Sequence, residues 1–217
     1  MTLPKRIRIA NTLRTVALDV HPCKYRDIRT WHRTIHDPFI ERRGGIDCDW
    51  DWRRLFLGCH MSEALLGREA LTFQLRVANE RDEAIPVAQA TFSYPYAWPA
   101  NPQERCVFIW LVSGAPPEAL TFYLVRDRPV VLPAVLDIAI QLSIANGLQG
   151  RIGLHAAVGA SQEESDQLAK KYAGYGLQQR QQTDGYFRWP VRPDDGRFFY
   201  FAPAEAQAFS AAQDDLR

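Results

Sequence analysis

Residues 130–155, V-V-L-P-A-V-L-D-I-A-I-Q-L-S-I-A-N-G-L-Q-G-R-I-G-L-H, restrict the fold more than any other stretch. Apolar residues at Val131, Leu132, Val135, Ile138, Ala139, Leu142 and Ile144 mostly keep the three-and-four spacing of one helical face. Pro133 suits the first turn, where its missing N–H loses no bond. Asn146 and Gly147 form a stop, because glycine enters the left-handed region without steric cost. Residues 151–156 then alternate weakly, as a strand does, and residues 106–112 upstream are an apolar run of strand length. Strand, helix, strand predicts a βαβ unit with one parallel pair.

The flanking chain predicts further elements. Residues 12–20 read as a first strand ended by His21 and Pro22. Residues 25–40 read as a helix broken at Asp37 and Pro38, followed by a loop at Gly44 and Gly45. A second helix covers residues 50–66, with Asp49 as N-cap and Gly67 as stop. Residues 70–78 and 85–94 make an antiparallel hairpin, with Leu71, Phe73, Leu75 and Val77 on one face. Pro95, Pro99 and Pro102 predict a loop across residues 94–102. The long connection 113–129 holds a short helix within 118–124, and residues 163–175 form a helix closed by Gly176. Two final strands, 185–189 and 197–201, flank a turn at Pro193, Asp194, Asp195 and Gly196. The tail reads as a short helix or a frayed end. With no repeat and no linker, one domain over residues 1–217 is expected, its core at about 12–201 and a tail at 202–217.

Bulk properties narrow the function classes. A chain of 217 residues that is 47% hydrophobic can bury a sizeable core. The net charge of +1 argues against a general nucleic-acid binder, so no nucleic-acid partner is expected. No apolar run approaches the roughly 20 residues of a bilayer span, so no membrane partner is expected. Lys5, Arg6 and Arg8 are followed by no apolar h-region, and Cys23, Cys48, Cys59 and Cys106 are dispersed. A cytoplasmic setting with reduced thiols is the expectation.

The order of elements resembles the GNAT superfamily of acyl-CoA-dependent acyltransferases across residues 12–201. Leu136-Asp137-Ile138-Ala139-Ile140 with Ser143, Gly147, Gly150 and Arg151 to Leu154 is similar to that family's pyrophosphate helix and following strand. Lys171-Tyr172-Ala173-Gly174-Tyr175-Gly176-Leu177 is similar to its tyrosine-bearing helix end. The resemblance implies an α/β (α+β) fold: a mixed, mostly antiparallel sheet with a central splayed parallel pair, flanked by helices. It implies acetyl-CoA or another acyl-CoA as co-substrate, lying between the ends of residues 111–113 and 153–156, and an amine on a small molecule or protein as acceptor. Leu111, Val112 and Ser113 would contact the thioester, a backbone N–H near Val112 or Ser113 would hold the oxyanion, and Tyr172 would protonate the departing thiolate. A homodimer through the final strands is a further possibility. Where the family has a basic residue and two glycines before the helix, this chain has Arg128, Val131 and Pro133. Arg126 and Arg128 would then supply charge in place of backbone dipoles.

Other residues carry chemistry by type. His155, at a strand end, is a candidate general base because imidazole titrates near neutrality; a structural histidine is the alternative. Asp47, Asp49 and Trp50, with Glu63, form a candidate acidic, aromatic lip for a cationic amine; helix capping and core packing are the alternative. His32, His36, Cys48, Cys59 and His60 lie in one region, and His32 and His36 could share a helix face. No paired metal-ligand spacing appears, so no metal is expected. Ser113-Gly114 lacks the Gly-x-Ser-x-Gly setting of a serine hydrolase. Two other function classes stand beside the CoA enzyme: a non-catalytic protein of this fold that binds a partner, and an acyltransferase fed by a carrier protein.

Overall fold

The computed structural model describes residues 1–159, 161–181 and 195–217. The N-terminal hairpin pairs β1 (Arg6–Arg8) with β2 (Thr15–Ala17) in a sheet of its own. The expected first strand is therefore two strands. Residues 15–17 take β1 as partner, and β3 (Asp19–Pro22) turns to the main sheet, running through His21 and Pro22. β1 is three residues long and leaves almost no periodic signal.

The main sheet adds β4 (Glu69–Ala78), β5 (Ala84–Trp98), β6 (Asn101–Gly114), β7 (Ile152–His155), β8 (Gln178–Gln179) and β9 (Phe198–Phe201), in the order β3-β4-β5-β6-β7-β9-β8. Every pairing is antiparallel except β6 with β7, where Val107, Phe108 and Ile109 face Ile152, Gly153 and Leu154. This is the mixed, mostly antiparallel sheet with one parallel pair that the resemblance implied. Gly153 is required at that seam: a Cβ there would lie 2.6 Å from Pro99 Cδ and 3.2 Å from Phe108 Cδ2.

The loop expected across residues 94–102 is mostly strand. The β5–β6 register jumps between Ser93 and Tyr96, so Pro95 has no residue opposite it on β6 and its missing N–H breaks no rung there. The expected strand at 185–189, and Pro193 and Asp194 of the turn after it, lie outside the described residues.

Helices cover both faces. On one lies α4 (Val131–Ala145), whose Val135, Leu136, Ile138 and Ile140 are fully buried against Phe73, Leu75, Val107 and Ile109. Each such side chain contributes about 1.5–3 kcal/mol of burial. Nearly every α4 position is apolar, as befits a helix enclosed on all sides. Its outer side is closed by α6 (Pro203–Ala211), and Gln141 Nε2 donates to Ser210 Oγ at 2.9 Å. The tail is thus a packed helix, ended by a 3₁₀ turn at Asp214–Leu216 whose Leu216 carbonyl accepts from the Lys5 amide at 2.7 Å.

The opposite face carries α1 (Tyr25–Trp31), its π-helical continuation (His32–Glu41) and α2 (Trp52–Leu65), with Ile28, Trp31, Ile35, Trp52 and Phe56 between them. The expected break at Pro38 is absent. In the i→i−5 pattern of this segment Pro38 has no N–H to give the Arg33 carbonyl, and the Tyr123 hydroxyl donates to the neighbouring Thr34 carbonyl at 3.0 Å. The wide turn keeps the segment helical. α2 starts two residues later than expected, because Asp51, not Asp49, caps it: Oδ1 accepts from the amides of Arg53 at 3.0 Å and Arg54 at 3.3 Å. Gly67 stops it at φ +66°. Under these helices the sheet buries polar residues in pairs, Thr72 with Thr91 and Gln74 with Gln89, each at 2.9 Å.

Two elements complete the crossovers, α3 (Pro117–Phe122) after β6 and α5 (Gln162–Gly174) after β7. The four cysteines form no disulfide. Among the described residues no helix is long and apolar enough to cross a membrane.

Candidate active site

The parallel pair does not stay together. Its rungs end at Ile109 and Leu154, while β6 continues beside β5 to Gly114 and the chain after β7 runs on past His155. A cleft of about 920 Å³ opens where they part, lined by Leu111 and Val112 on one side and Leu154, His155 and Ala157 on the other.

A bulge aims the backbone at this cleft. Thr91 faces Leu111 and Phe92 faces Ile109, so Trp110 is an extra residue in β6. Beyond it, the Ala115 amide bonds to the Val87 carbonyl at 2.9 Å. Strand alternation then turns the Leu111 and Ser113 N–H groups toward β5 and the Val112 N–H away from it, toward the cleft.

α5 forms another wall. Glu164, Gln167, Leu168, Lys171 and Tyr172 recur at helical spacing and all line the cleft. Tyr172 is buried, its ring 5.5 Å from that of Phe199, and burial pushes its phenol pKa up to about 12. The group is therefore a protonated donor throughout the ordinary pH range.

His155 meets Asp195. Its Nε2 lies 2.9 Å from Oδ1 and 3.1 Å from Oδ2. A carboxylate oxygen accepts, so Nε2 carries the proton of this bond. Asp195 is itself held by Arg197, whose Nε lies 3.3 Å from Oδ2.

The loop before α2 supplies the remaining edge through Arg43, Gly45, Ile46, Asp47 and Trp50. Ser113 is buried and turned aside: its hydroxyl donates to Asp47 Oδ2. The Asp47 carbonyl accepts from His36 Nε2 at 3.0 Å. Trp50 stands edge-on to Trp52, ring centres 5.9 Å apart.

The structure thus brings together Leu111, Val112, Asp47, Trp50, His155 and Tyr172, with Ser113 just behind. It does not bring in the others. Asp49 is exposed and does not line the cleft. Glu63 is wholly buried under α2, paired with Arg68 at 2.6 Å and bonded by the Ser93 hydroxyl, so it is a core charge and no part of a lip. Arg126 is exposed and paired with Glu80 at 2.7 Å. Arg128 is also exposed and, like Arg126 and Val131, does not line the cleft. The segment before α4 is zipped to the N-terminal hairpin: Ile9 and Pro129 form an antiparallel bridge, the Val130 amide donates to the Arg8 carbonyl at 2.8 Å, and the Ala10 amide donates to the Arg128 carbonyl at 2.9 Å. Cations that do line the cleft are Arg43, Lys171 and Arg197. Lys171 and Gln167 were within reach of sequence reasoning, since they share a helical face with Tyr172.

No protein-family model matches the sequence, and no curated protein does. Among solved structures the chain is similar to the spermidine N-acetyltransferase SpeG from Vibrio cholerae (TM-score 0.48, 14% identity, covering 87% of this chain and 95% of that one). It is also similar to a KacTA–DNA complex (0.48, 10%, 90% and 99%). A third is the AtaT toxin bound to the C-terminus of the antitoxin AtaR and acetyl-CoA (0.43, 10%, 88% and 96%).

Proposed function

We propose that the chain transfers an acyl group from a thioester to an amine in the cleft between β6 and β7. The observation that carries this is the parted parallel pair with a bulge-directed amide on one side and a buried tyrosine on the other. The thioester carbonyl lies beside the Val112 N–H, which stabilises the oxyanion by about 3–4 kcal/mol. The ammonium acceptor gives a proton to the His155 ring, with Asp195 orienting the ring and balancing the imidazolium. The neutral amine attacks the carbonyl carbon, and a C–N bond forms. The C–S bond then breaks, the departing thiolate takes the Tyr172 proton, the attacking nitrogen loses its second proton to solvent as the amide forms, and solvent returns a proton to the phenolate. Asp47 and Trp50 offer the acceptor a negative and an aromatic surface.

The donor in this reading is acyl-CoA, its phosphates met by Lys171 and Arg43 rather than by a glycine loop. A donor on a carrier protein is the second reading, favoured by the pairing of the segment before α4 with the hairpin and by Pro133, which has no N–H to offer a pyrophosphate. Calorimetric titration with acetyl-CoA, followed by thiol release from acetyl-CoA and longer acyl-CoAs over a panel of amines, tests the first. Micromolar binding with amine-dependent thiol release is the expected result. No binding of any acyl-CoA removes the CoA reading, and turnover with an acyl carrier protein would then establish the second. Silence with both donors would leave the cleft a binding site without acyl transfer.

A further inference from the structure

The π-helical turn does something that an α-helix would not. Its wide pitch sets residues four and five apart side by side. His32, His36 and Asp37 therefore converge: one ligand-type atom from each lies within 4.8 Å of the others. His32 Nε2 is 3.2 Å, and His36 Nδ1 is 3.6 Å, from Asp37 Oδ1. Four ligands held at about 2.0–2.1 Å around a tetrahedral ion lie roughly 3.3 Å apart. The two measured edges bracket that value. Asp51 Oδ1 stands 4.0 Å from His32 Nε2, beside the same point.

The second observation is the state of His36. The residue is 2% exposed, and its Nε2 faces the Asp47 carbonyl. A carbonyl only accepts, so Nε2 carries a hydrogen, and Nδ1 is the nitrogen left to ligate. That Nδ1 is buried and has no hydrogen-bond partner. It lies 3.6 Å from Asp37 Oδ1, so an ion held between them would be shared by an imidazole nitrogen and a carboxylate oxygen. A ring N–H donated to a backbone carbonyl, with the other nitrogen turned to a carboxylate, is the orientation that outer hydrogen bonds impose on metal-ligating histidines.

We propose that His32, His36 and Asp37 bind one divalent transition-metal ion of the zinc class. Imidazole donors select zinc-class ions over magnesium or calcium. Arg26, Arg29, Arg33 and Arg53 line the adjoining pocket of about 430 Å³ and oppose any cation, so the ion must be held by its imidazole bonds. The site lies outside the cleft but is joined to it through the His36 bond to the Asp47 carbonyl and the Ser113 bond to the Asp47 carboxylate. The bound ion fixes the loop that carries Asp47 and Trp50.

The test uses the full chain, stripped of metal, titrated with Zn²⁺ and with Co²⁺ and compared with Asp37→Asn and His36→Gln. Asp37 is partly exposed, so its variant preserves packing, and Gln can still donate to the Asp47 carbonyl. Circular dichroism without metal confirms the fold of each. Expected are one ion per chain, visible Co²⁺ bands without a thiolate charge-transfer band, a rise in melting temperature with Zn²⁺ but not Mg²⁺, and binding at least about 100-fold weaker in both variants. No binding by the parent chain, undiminished binding in the variants, or a thiolate band would each overturn the proposal.

Discussion

Arg217→Ala exposes the cost of one enclosed charge. Asp137 lies within α4 with no exposed surface. Its Oδ1 accepts from Ser210 Oγ at 2.7 Å and from Arg217 Nη1 at 2.8 Å, and Oδ2 accepts from the same Nη1 at 3.1 Å. Burial pushes the Asp137 pKa above its ordinary value, while the Ser210 bond and the Arg217 charge pull it back. Truncating Arg217 leaves the carboxylate with Ser210 alone. Removing one partner of a buried pair costs about 3–5 kcal/mol. Each kcal/mol moves Tm by roughly 2–4 °C in a chain of this size, so the variant should melt about 10 °C lower at neutral pH. The pH dependence has a definite sign. A folded-state pKa raised above the unfolded value means that the native state binds the proton more readily, so this group's contribution falls as pH rises above the ordinary value of 3.8. Loss of Arg217 raises that pKa further, and the deficit should therefore shrink at about pH 5. Asp137→Asn in the Arg217→Ala background should recover most of the loss. Scanning calorimetry of the parent, both single variants and the double variant at two pH values measures all of this. A deficit under about 2 °C at neutral pH, or one that neither acidification nor Asp137→Asn relieves, refutes the account.

Three further outcomes follow from the site. Tyr172→Phe should lower acyl transfer by about 100-fold or more with little change in melting temperature; since the phenol titrates at about 12, the parent chain should show no loss of turnover from this group up to pH 9 or so. Lys171→Ala should weaken acyl-CoA binding in a salt-sensitive way, whereas Arg126→Ala and Arg128→Ala should leave it unchanged by calorimetry; equal losses in all three would return the donor phosphates to the segment before α4. Gly153→Ala should destabilise by about 1–3 kcal/mol in urea titration, because its Cβ meets the Pro99 ring and Phe108 across the parallel seam; a neutral result would mean that Pro99 moves freely.

The βαβ unit could be read from sequence because its signals are local: an unbroken apolar helix, Asn146 and Gly147 as stop, and a short strand after Gly150. What failed depended on three-dimensional geometry, some of it set by partners distant in sequence. Pro95 sits in a strand because the ladder skips it, and register is not visible along one strand. Pro38 does not break its helix because the turn there widens to the π form, and Tyr123, far along the chain, braces it through the Thr34 carbonyl. Glu63 reads as a surface acid, but Arg68 folds back onto it and Ser93 of β5 donates to it from beneath. Asp51 displaced Asp49 as cap by two residues, a difference that only the amides of Arg53 and Arg54 decide. Within the site, the strand ends and Tyr172 followed from the family resemblance. Asp195 could not be matched with His155 from spacing alone, because β9 is what brings it alongside β7.

The enclosure of α4 has a consequence for biosynthesis. The helix finds its strands β4, β5 and β6 already made when it leaves the ribosome, but the cover over its other side, α6 with Arg217, is translated almost 60 residues after α4 ends. Until then, the buried Asp137 has no counter-ion and the outer apolar positions of α4 face solvent. A nascent chain paused in that interval presents a sticky, half-closed surface of the kind that chaperones hold and that otherwise aggregates.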